Sequence, residues 1–168
     1  KIGYFDEELI RNQDDDFNFR VTQAGGKIFF DTSMLLKYYV RGNFNSLWKQ
    51  FYQYGYWKVY VNKKHASVTT FRQLIPPLFV AYLILIPFTF VLSITYGLIF
   101  TIPLILYVSL AKMISWKYSN TKSGIKFLEI LKTFPILHLS YGFGYLKGMI
   151  DFFLLNKKPS EKHKSLSR

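Results

Sequence analysis

Three adjacent carboxylates, Asp14, Asp15 and Asp16, form the densest group of potentially catalytic side chains in this sequence. Three carboxylates in a row could bind a hard cation such as Mg²⁺. Acids in the first turn of a helix also stabilise that helix through its dipole. Asp16 precedes Arg20 by four residues, which is the spacing of an ion pair on a helix. Spacing alone therefore favours a role in helix stability for this acidic run.

Other patterns that carry chemistry are missing from the sequence. The chain has no cysteine, which excludes disulfides, thiolate catalysis, cysteine-bound zinc and iron–sulfur clusters. His65, His138 and His163 lie far apart and match no metal-ligand spacing. The glycines from 142 to 148 are one residue off a dinucleotide-binding motif, and no predicted strand precedes them, so they indicate helix packing.

The charges divide the chain into an acidic-to-mixed head and a basic, apolar body. The sequence has 22 Lys and Arg against 10 Asp and Glu, a net charge of +12, and most of the acids lie before residue 32. Such a balance attracts an anionic partner, which is nucleic acid, anionic lipid or a phosphorylated substrate. No nucleic-acid-binding motif accompanies the basic residues, so we expect no nucleic acid among the partners.

Residues 73–111 contain no charged side chain, and this run is long enough for two membrane spans. We predict two transmembrane helices within residues 74–116, with the turn between them at Thr95–Gly97. The alternative is a pair of buried core helices in a soluble protein, but core helices usually keep a polar stripe. Lysines and arginine flank both ends of the run, which predicts that both flanks are cytoplasmic.

The remaining C-terminal segments are expected at or near the membrane surface. Residues 117–155 predict a juxtamembrane helix followed by an interfacial or re-entrant amphipathic segment. A third span is the alternative, but His138, Lys147 and Asp151 make this stretch a poor one. Residues 156–168 predict a basic, disordered tail.

The head, residues 1–64, has the pattern of an α/β fold. A helix is expected from about Gln13 to Ala24 with Asn12 as its cap, followed by short strands at 27–31 and 35–39 joined by a Thr32–Ser33 turn. A second helix is predicted from about residue 46 to 61, and residues 65–73 form a linker. A head this small is marginal by itself, which indicates the end of a larger domain.

Two stretches of the head carry a resemblance to a known family. GYFDEELIRNQDDDFNFRVTQAGGKIFF and YYVRGNFNSLWKQFYQYGYWK are similar to the C-terminal part of a family 2 glycosyltransferase catalytic domain. The likeness is to membrane-associated enzymes of exopolysaccharide assembly, of the succinoglycan type, and covers roughly residues 2–60. It implies that the head is the incomplete C-terminal part of a GT-A nucleotide-diphospho-sugar transferase domain.

The resemblance implies roles for five residues. The family's acidic motif falls on Gln13 and Asp14, which makes Asp14 the general base toward the acceptor hydroxyl. The family's Gln-x-x-Arg-Trp motif falls on Gln53 and Trp57, near the donor pyrophosphate and the acceptor respectively. Tyr56 stands where the family often has Arg, and Lys58 could supply that charge instead.

The function implied is transfer of a sugar, with inversion, from a nucleotide-sugar donor to a lipid-linked or polysaccharide acceptor at the cytoplasmic face of the membrane. The donor-binding half and its Mg²⁺ or Mn²⁺ ligands are expected outside this chain, so this fragment alone should be inactive. The alternative is a non-enzymatic membrane anchor or assembly protein that binds anionic lipid through its basic segments.

Overall fold

The computed structural model describes residues 2–39, 42–121, 124 and 126–158, and its regular structure is helical. A 3₁₀ turn, Phe71–Leu74, leads into the third helix, and a π-helical turn, Met149–Leu154, follows the fifth. Of the predicted basic tail, residues 159–168 lie outside the described residues. The helices are α1 Gln13–Gln23, α2 Phe44–His65, α3 Ile75–Leu92, α4 Ile94–Thr121 and α5 Phe127–Gly148.

The prediction of an α/β head is wrong, because no strand occurs among the residues that the structure describes. The two segments predicted as strands are irregular and exposed: Phe29 is 88% and Leu35 97% accessible. A strand exists only when a neighbouring strand satisfies its backbone groups, and the described residues offer none. The turn between the segments does form, with Asp31 accepting hydrogen bonds from the backbone and side chain of Ser33.

The head therefore consists of α1 attached to α2. Both helices were predicted close to their observed positions, and Asn12 is the N-cap residue of α1 as predicted, although its side chain does not cap the helix. Asn12 adopts a left-handed conformation (φ 62°), and its side chain makes no capping hydrogen bond. Instead its Nδ2 donates to the carbonyl oxygen of Tyr54 at 3.0 Å. This contact fixes the start of α1 against the middle of α2.

The long aromatic helix α2 packs along α5, and small residues bring their backbones together. A Cβ atom on Gly55 would lie within 3 Å of the backbone of Tyr141, and one on Gly144 within 3 Å of the backbone of Tyr52. Glycine permits such close approach because it has no side chain. The hydrophobic core lies along this contact and contains Leu9, Tyr56, Trp57, Val59, Val61, Tyr145 and Phe152.

A buried carboxylate, Asp151, attaches the π-helical turn to α2. It is 1% exposed and accepts hydrogen bonds from Tyr56 at 3.2 Å, Lys147 at 2.9 Å and Lys157 at 2.8 Å. Burial by itself raises the pKa of Asp151, but the hydrogen bonds from the two lysines and the tyrosine outweigh it and lower the pKa to about 2. The carboxylate is therefore held ionised beneath α2.

Helices α3 and α4 form the predicted apolar hairpin, with the break at Ser93, just before the predicted turn at Thr95–Gly97. In the described part of the chain, Phe71–Leu92 and Ile94–Thr121 are long and apolar enough to cross a membrane, with mean hydropathies of 2.2 and 2.0. Only 11% of each apolar window is buried. Core helices of a soluble protein are mostly buried, so the exposed apolar faces of this pair fit lipid better than a protein interior.

The glycine contact between α2 and α5 yields a stability prediction. Gly144→Ala should lower the free energy of unfolding by about 2 kcal/mol, because the new methyl group would overlap the Tyr52 backbone. Gly42→Ala is the control, since nothing lies within 4 Å of a Cβ atom there. Unfolding in detergent, followed by tryptophan emission, measures both. Equal stability of the two variants would contradict the close packing.

Candidate functional site

A polar cleft of about 740 Å³ lies where the start of α1, one face of α2 and the 3₁₀ turn before α3 meet. Helix α1 presents its acidic first turn to this cleft, α2 contributes Lys58, and the 3₁₀ turn contributes Arg72. The cleft therefore brings together carboxylates and cations from three separate segments. It also lies beside the first residues of the apolar hairpin, since Pro76 lines it.

The three adjacent carboxylates separate in the folded chain. Asp14 lines the cleft, is exposed, and makes no hydrogen bond or ion pair within the described residues. Asp15 also lines the cleft but pairs with Lys58 Nζ at 2.8 Å. Asp16 turns away from the cleft into the interior, where it is fully buried. Of the three, Asp14 is the carboxylate available to a ligand.

Asp16 holds α1 against the end of α2. It accepts from Arg20 at 2.9 Å, as the four-residue spacing predicted, and lies 3.0 Å from Lys64 and 2.8 Å from His65. Burial works to raise the pKa of Asp16, but the hydrogen bonds from Lys64, His65 and Arg20 lower the pKa overall. These partners occupy Asp16, so it supports the site without facing it.

The structure offers no metal centre in this cleft. Among the described residues, no group of three or more His, Asp or Glu side chains is placed to hold a metal ion. Both oxygens of Asp16 and one oxygen of Asp15 are paired with basic side chains. The hard-cation interpretation of the acidic run therefore has no support from its geometry.

The two predicted glutamines lie at and behind the cleft wall. Gln13 lines the cleft, and its Nε2 donates to the carbonyl oxygen of Leu9. Gln53 on α2 is 8% exposed and accepts a hydrogen bond from Arg11 Nε at 3.2 Å. Arg11 itself lines the cleft. Gln53 is thus placed to position a cation of the cleft and is not among the residues that line it.

The other two predicted site residues on α2, Trp57 and Lys58, lie on different faces of that helix. Lys58 faces the cleft, whereas Trp57 is 1% exposed and packs in the core, its ring centroid 6.2 Å from that of Phe152. Tyr56 donates its hydroxyl to the buried Asp151. Neither aromatic residue lines the cleft, and an acceptor contact for Trp57 stays a prediction.

Sequence reasoning assigned no site role to Arg11, Arg72, Gln73 or Tyr141, although all four line the cleft. The sequence did mark Arg72 as the last charge before the apolar run, but only as a flank of the membrane segment. Nothing in the sequence indicates that α5 returns to place Tyr141 beside α1. These residues join the site through tertiary packing alone.

The site and fold define a helical protein with a polar, charge-lined cleft beside an apolar hairpin. A partial similarity connects it to the succinoglycan biosynthesis protein ExoA of Rhizobium meliloti, at 28% identity over 75 residues. The match covers 45% of this chain and 23% of ExoA, so it spans about a quarter of that protein. No family model and no solved structure matches the chain. The similarity agrees with the succinoglycan-type resemblance and is confined to part of each protein.

The Asn12 contact yields a prediction about the position of the acidic turn. Asn12→Gly should cost about 1 kcal/mol by removing the hydrogen bond to Tyr54 while relieving the left-handed backbone. Asn12→Ala should cost about 1 kcal/mol more, because alanine loses the bond and adds strain at φ 62°. Unfolding free energies and hydrogen exchange in α1 measure both. Two variants as stable as the native chain would show that Asn12 does not hold α1.

Proposed function

We propose that the polar cleft is part of the active site of a membrane glycosyltransferase. The enzyme transfers a sugar from a nucleotide-sugar donor to a lipid-linked or polysaccharide acceptor. The observation that carries this proposal is the exposed carboxylate of Asp14 on a cleft wall that also holds Arg11, Lys58 and Arg72. The partial similarity to a succinoglycan biosynthesis protein supports the same class of reaction.

Asp14 acts as the general base in this proposal. Its carboxylate accepts the proton of an acceptor hydroxyl while the hydroxyl oxygen bonds to the anomeric carbon of the donor sugar. The bond from that carbon to the nucleoside diphosphate breaks, and the diphosphate leaves with the electron pair. Attack from the face opposite the leaving group inverts the anomeric centre.

The contacts of the neighbouring carboxylates support the choice of Asp14. A base must be free to approach the substrate proton, and a carboxylate already bonded to a cation is a poorer proton acceptor. Asp15 is paired with Lys58, and Asp16 is buried among Arg20, Lys64 and His65.

Basic side chains favour the leaving diphosphate. The family often has an arginine at the position of Tyr56, and Lys58 supplies a positive charge near that position. A lysine ammonium group cannot form the two parallel hydrogen bonds that a planar guanidinium makes to a phosphate. Arg11, held by Gln53, adds a guanidinium to the same cleft. The Mg²⁺ or Mn²⁺ that would accompany the donor is assigned to no residue of this cleft.

The apolar hairpin supports a reaction at the membrane surface. Helices α3 and α4 cross the bilayer in the proposal, with both lysine-rich flanks on the cytoplasmic side. The 3₁₀ turn that opens α3 then puts the cleft at the inner membrane surface, where a lipid-linked acceptor is within reach.

A second function rests on the exposed lysines of α4. Lys112 and Lys117 are exposed in the C-terminal third of that helix and suit the anionic headgroups of the inner leaflet. On this alternative, the protein is a membrane anchor or assembly subunit and carries out no sugar transfer.

The test is sugar transfer by membranes that contain the complete gene product. Asp14→Asn should lower the turnover at least 100-fold, the usual contribution of a general base, and leave donor binding intact. Glu7→Gln is the matched control, because Glu7 is also an exposed acid but does not line the cleft. Radiolabelled sugar incorporated into the acceptor measures the rate.

Two results would contradict the assignment. Turnover retained in Asp14→Asn removes Asp14 from the mechanism. Native membranes that bind anionic vesicles but transfer no sugar from any nucleotide donor favour the anchor.

A further inference from the structure

A buried amide at the membrane end of the cleft lacks a partner for its donor. Gln73 is 5% exposed and lines the cleft, and its Oε1 accepts from Asn62 Nδ2 at 3.0 Å. Its Nε2 makes no hydrogen bond within the described structure. Buried polar atoms are usually paired, so an orphaned donor in the lining of a cleft indicates an acceptor that is supplied by a ligand.

The orientation of this amide is fixed by its neighbours. Asn62 donates Nδ2 to the Tyr145 hydroxyl at 3.1 Å as well as to Gln73, and its Oδ1 accepts from the backbone of Thr69. Asn62 therefore donates to Gln73, and Gln73 must accept this hydrogen bond with its side-chain oxygen. The amide nitrogen of Gln73 is left for another partner.

Arg72, the residue before Gln73, carries a positive charge that is paired with no described residue. Arg72 is exposed, lines the same cleft, and makes no ion pair or side-chain hydrogen bond among the described residues. The other basic residues of the cleft differ, since Lys58 pairs with Asp15 and Arg11 donates to Gln53. Among the described residues of the cleft, Arg72 is thus the basic residue whose guanidinium has no partner and is available to bind an anion.

The two side chains together select a phosphate ester. A guanidinium and an amide N–H group offer donors only, so the ligand must present several acceptor oxygens with negative charge. A nucleoside diphosphate and a lipid-linked phosphate share this chemistry. The position favours the lipid, because the 3₁₀ turn that carries both residues, Phe71–Leu74, opens directly into the apolar helix α3.

We propose that Arg72 and Gln73 form a phosphate subsite for a lipid-linked acceptor. The phosphate sits at the membrane end of the cleft, with the lipid chain in the bilayer beside α3. The acceptor's sugar then extends along the cleft toward Asp14. The description of the ligand as an acceptor depends on the proposed glycosyltransferase function, whereas the phosphate binding does not.

Direct binding tests the subsite without catalysis. The full chain in phosphatidylcholine nanodiscs is titrated with a polyisoprenyl diphosphate and, separately, with uridine diphosphate, and phosphorus NMR follows both probes. Arg72→Gln and Gln73→Glu should each weaken binding of the lipid diphosphate at least tenfold. Gln73→Glu keeps an oxygen acceptor for Asn62 and replaces the unpaired donor with a carboxylate oxygen that repels phosphate, and tryptophan emission checks that the fold is kept.

Lys112→Gln is the matched control, since Lys112 is an exposed cation in the C-terminal third of α4 and does not line the cleft. Its effect should stay below twofold. An equal loss in Lys112→Gln and Arg72→Gln would overturn the subsite in favour of general attraction to charge. No loss in Arg72→Gln would overturn it directly, and a loss only with uridine diphosphate would overturn the assignment to a lipid.

Failure of the phosphate subsite can be distinguished from failure of the proposed glycosyltransferase function. Asp14→Asn should bind the lipid diphosphate within twofold of the native affinity, because Asp14 is assigned to the hydroxyl end of the cleft. Lipid binding that depends on Arg72 without any sugar transfer would refute the transferase and keep the subsite. Sugar transfer that depends on Asp14 but not on Arg72 would support the transferase and refute the phosphate subsite.

Discussion

The glycine-mediated contact between α2 and α5 is the packing on which the cleft in the described part of the chain depends. With Gly55 and Gly144 in the contact, the two backbones approach closely and the aromatic face of α2 is buried. Another face of α2 then packs against the start of α1, where the carbonyl oxygen of Tyr54 accepts from Asn12 and Lys58 donates to Asp15. The acidic start of α1 is thus placed by interactions with a rigid helix pair, although α1 contributes few residues to the core.

Charge pairing within the head makes the cleft asymmetric. Two of the three adjacent carboxylates are bound to basic side chains, which fixes the rotation of α1 and leaves Asp14 as the carboxylate that faces open space. On the basic side, Arg11 is oriented by Gln53 and Arg72 has no partner in the described chain. The cleft therefore has a carboxylate end on α1 and a cationic end beside the apolar hairpin.

Local patterns in the sequence predicted α1 to α4 and the arginine partner of Asp16, but they did not predict the tertiary site. The uncharged run predicted α3 and α4, and the Asp16–Arg20 spacing predicted an ion pair that forms. The prediction of strands at 27–31 and 35–39 was wrong, because a strand forms only when a neighbouring strand pairs with it and no local sequence pattern shows whether such a strand is present. Trp57 matched a motif, yet its ring went to the core, and Arg72 joined the site only because α3 starts beside α1.

Photo-crosslinking in native membranes tests most directly whether this cleft holds the acceptor. Benzoylphenylalanine can replace Phe5, which lines the polar cleft, or Phe44, which lines a separate apolar cleft between α2 and α5. With a radiolabelled glycolipid acceptor, the account predicts that label becomes attached to the protein from position 5 and not from position 44. Labelling from position 44 alone, or none from position 5 in membranes that transfer sugar, would contradict it.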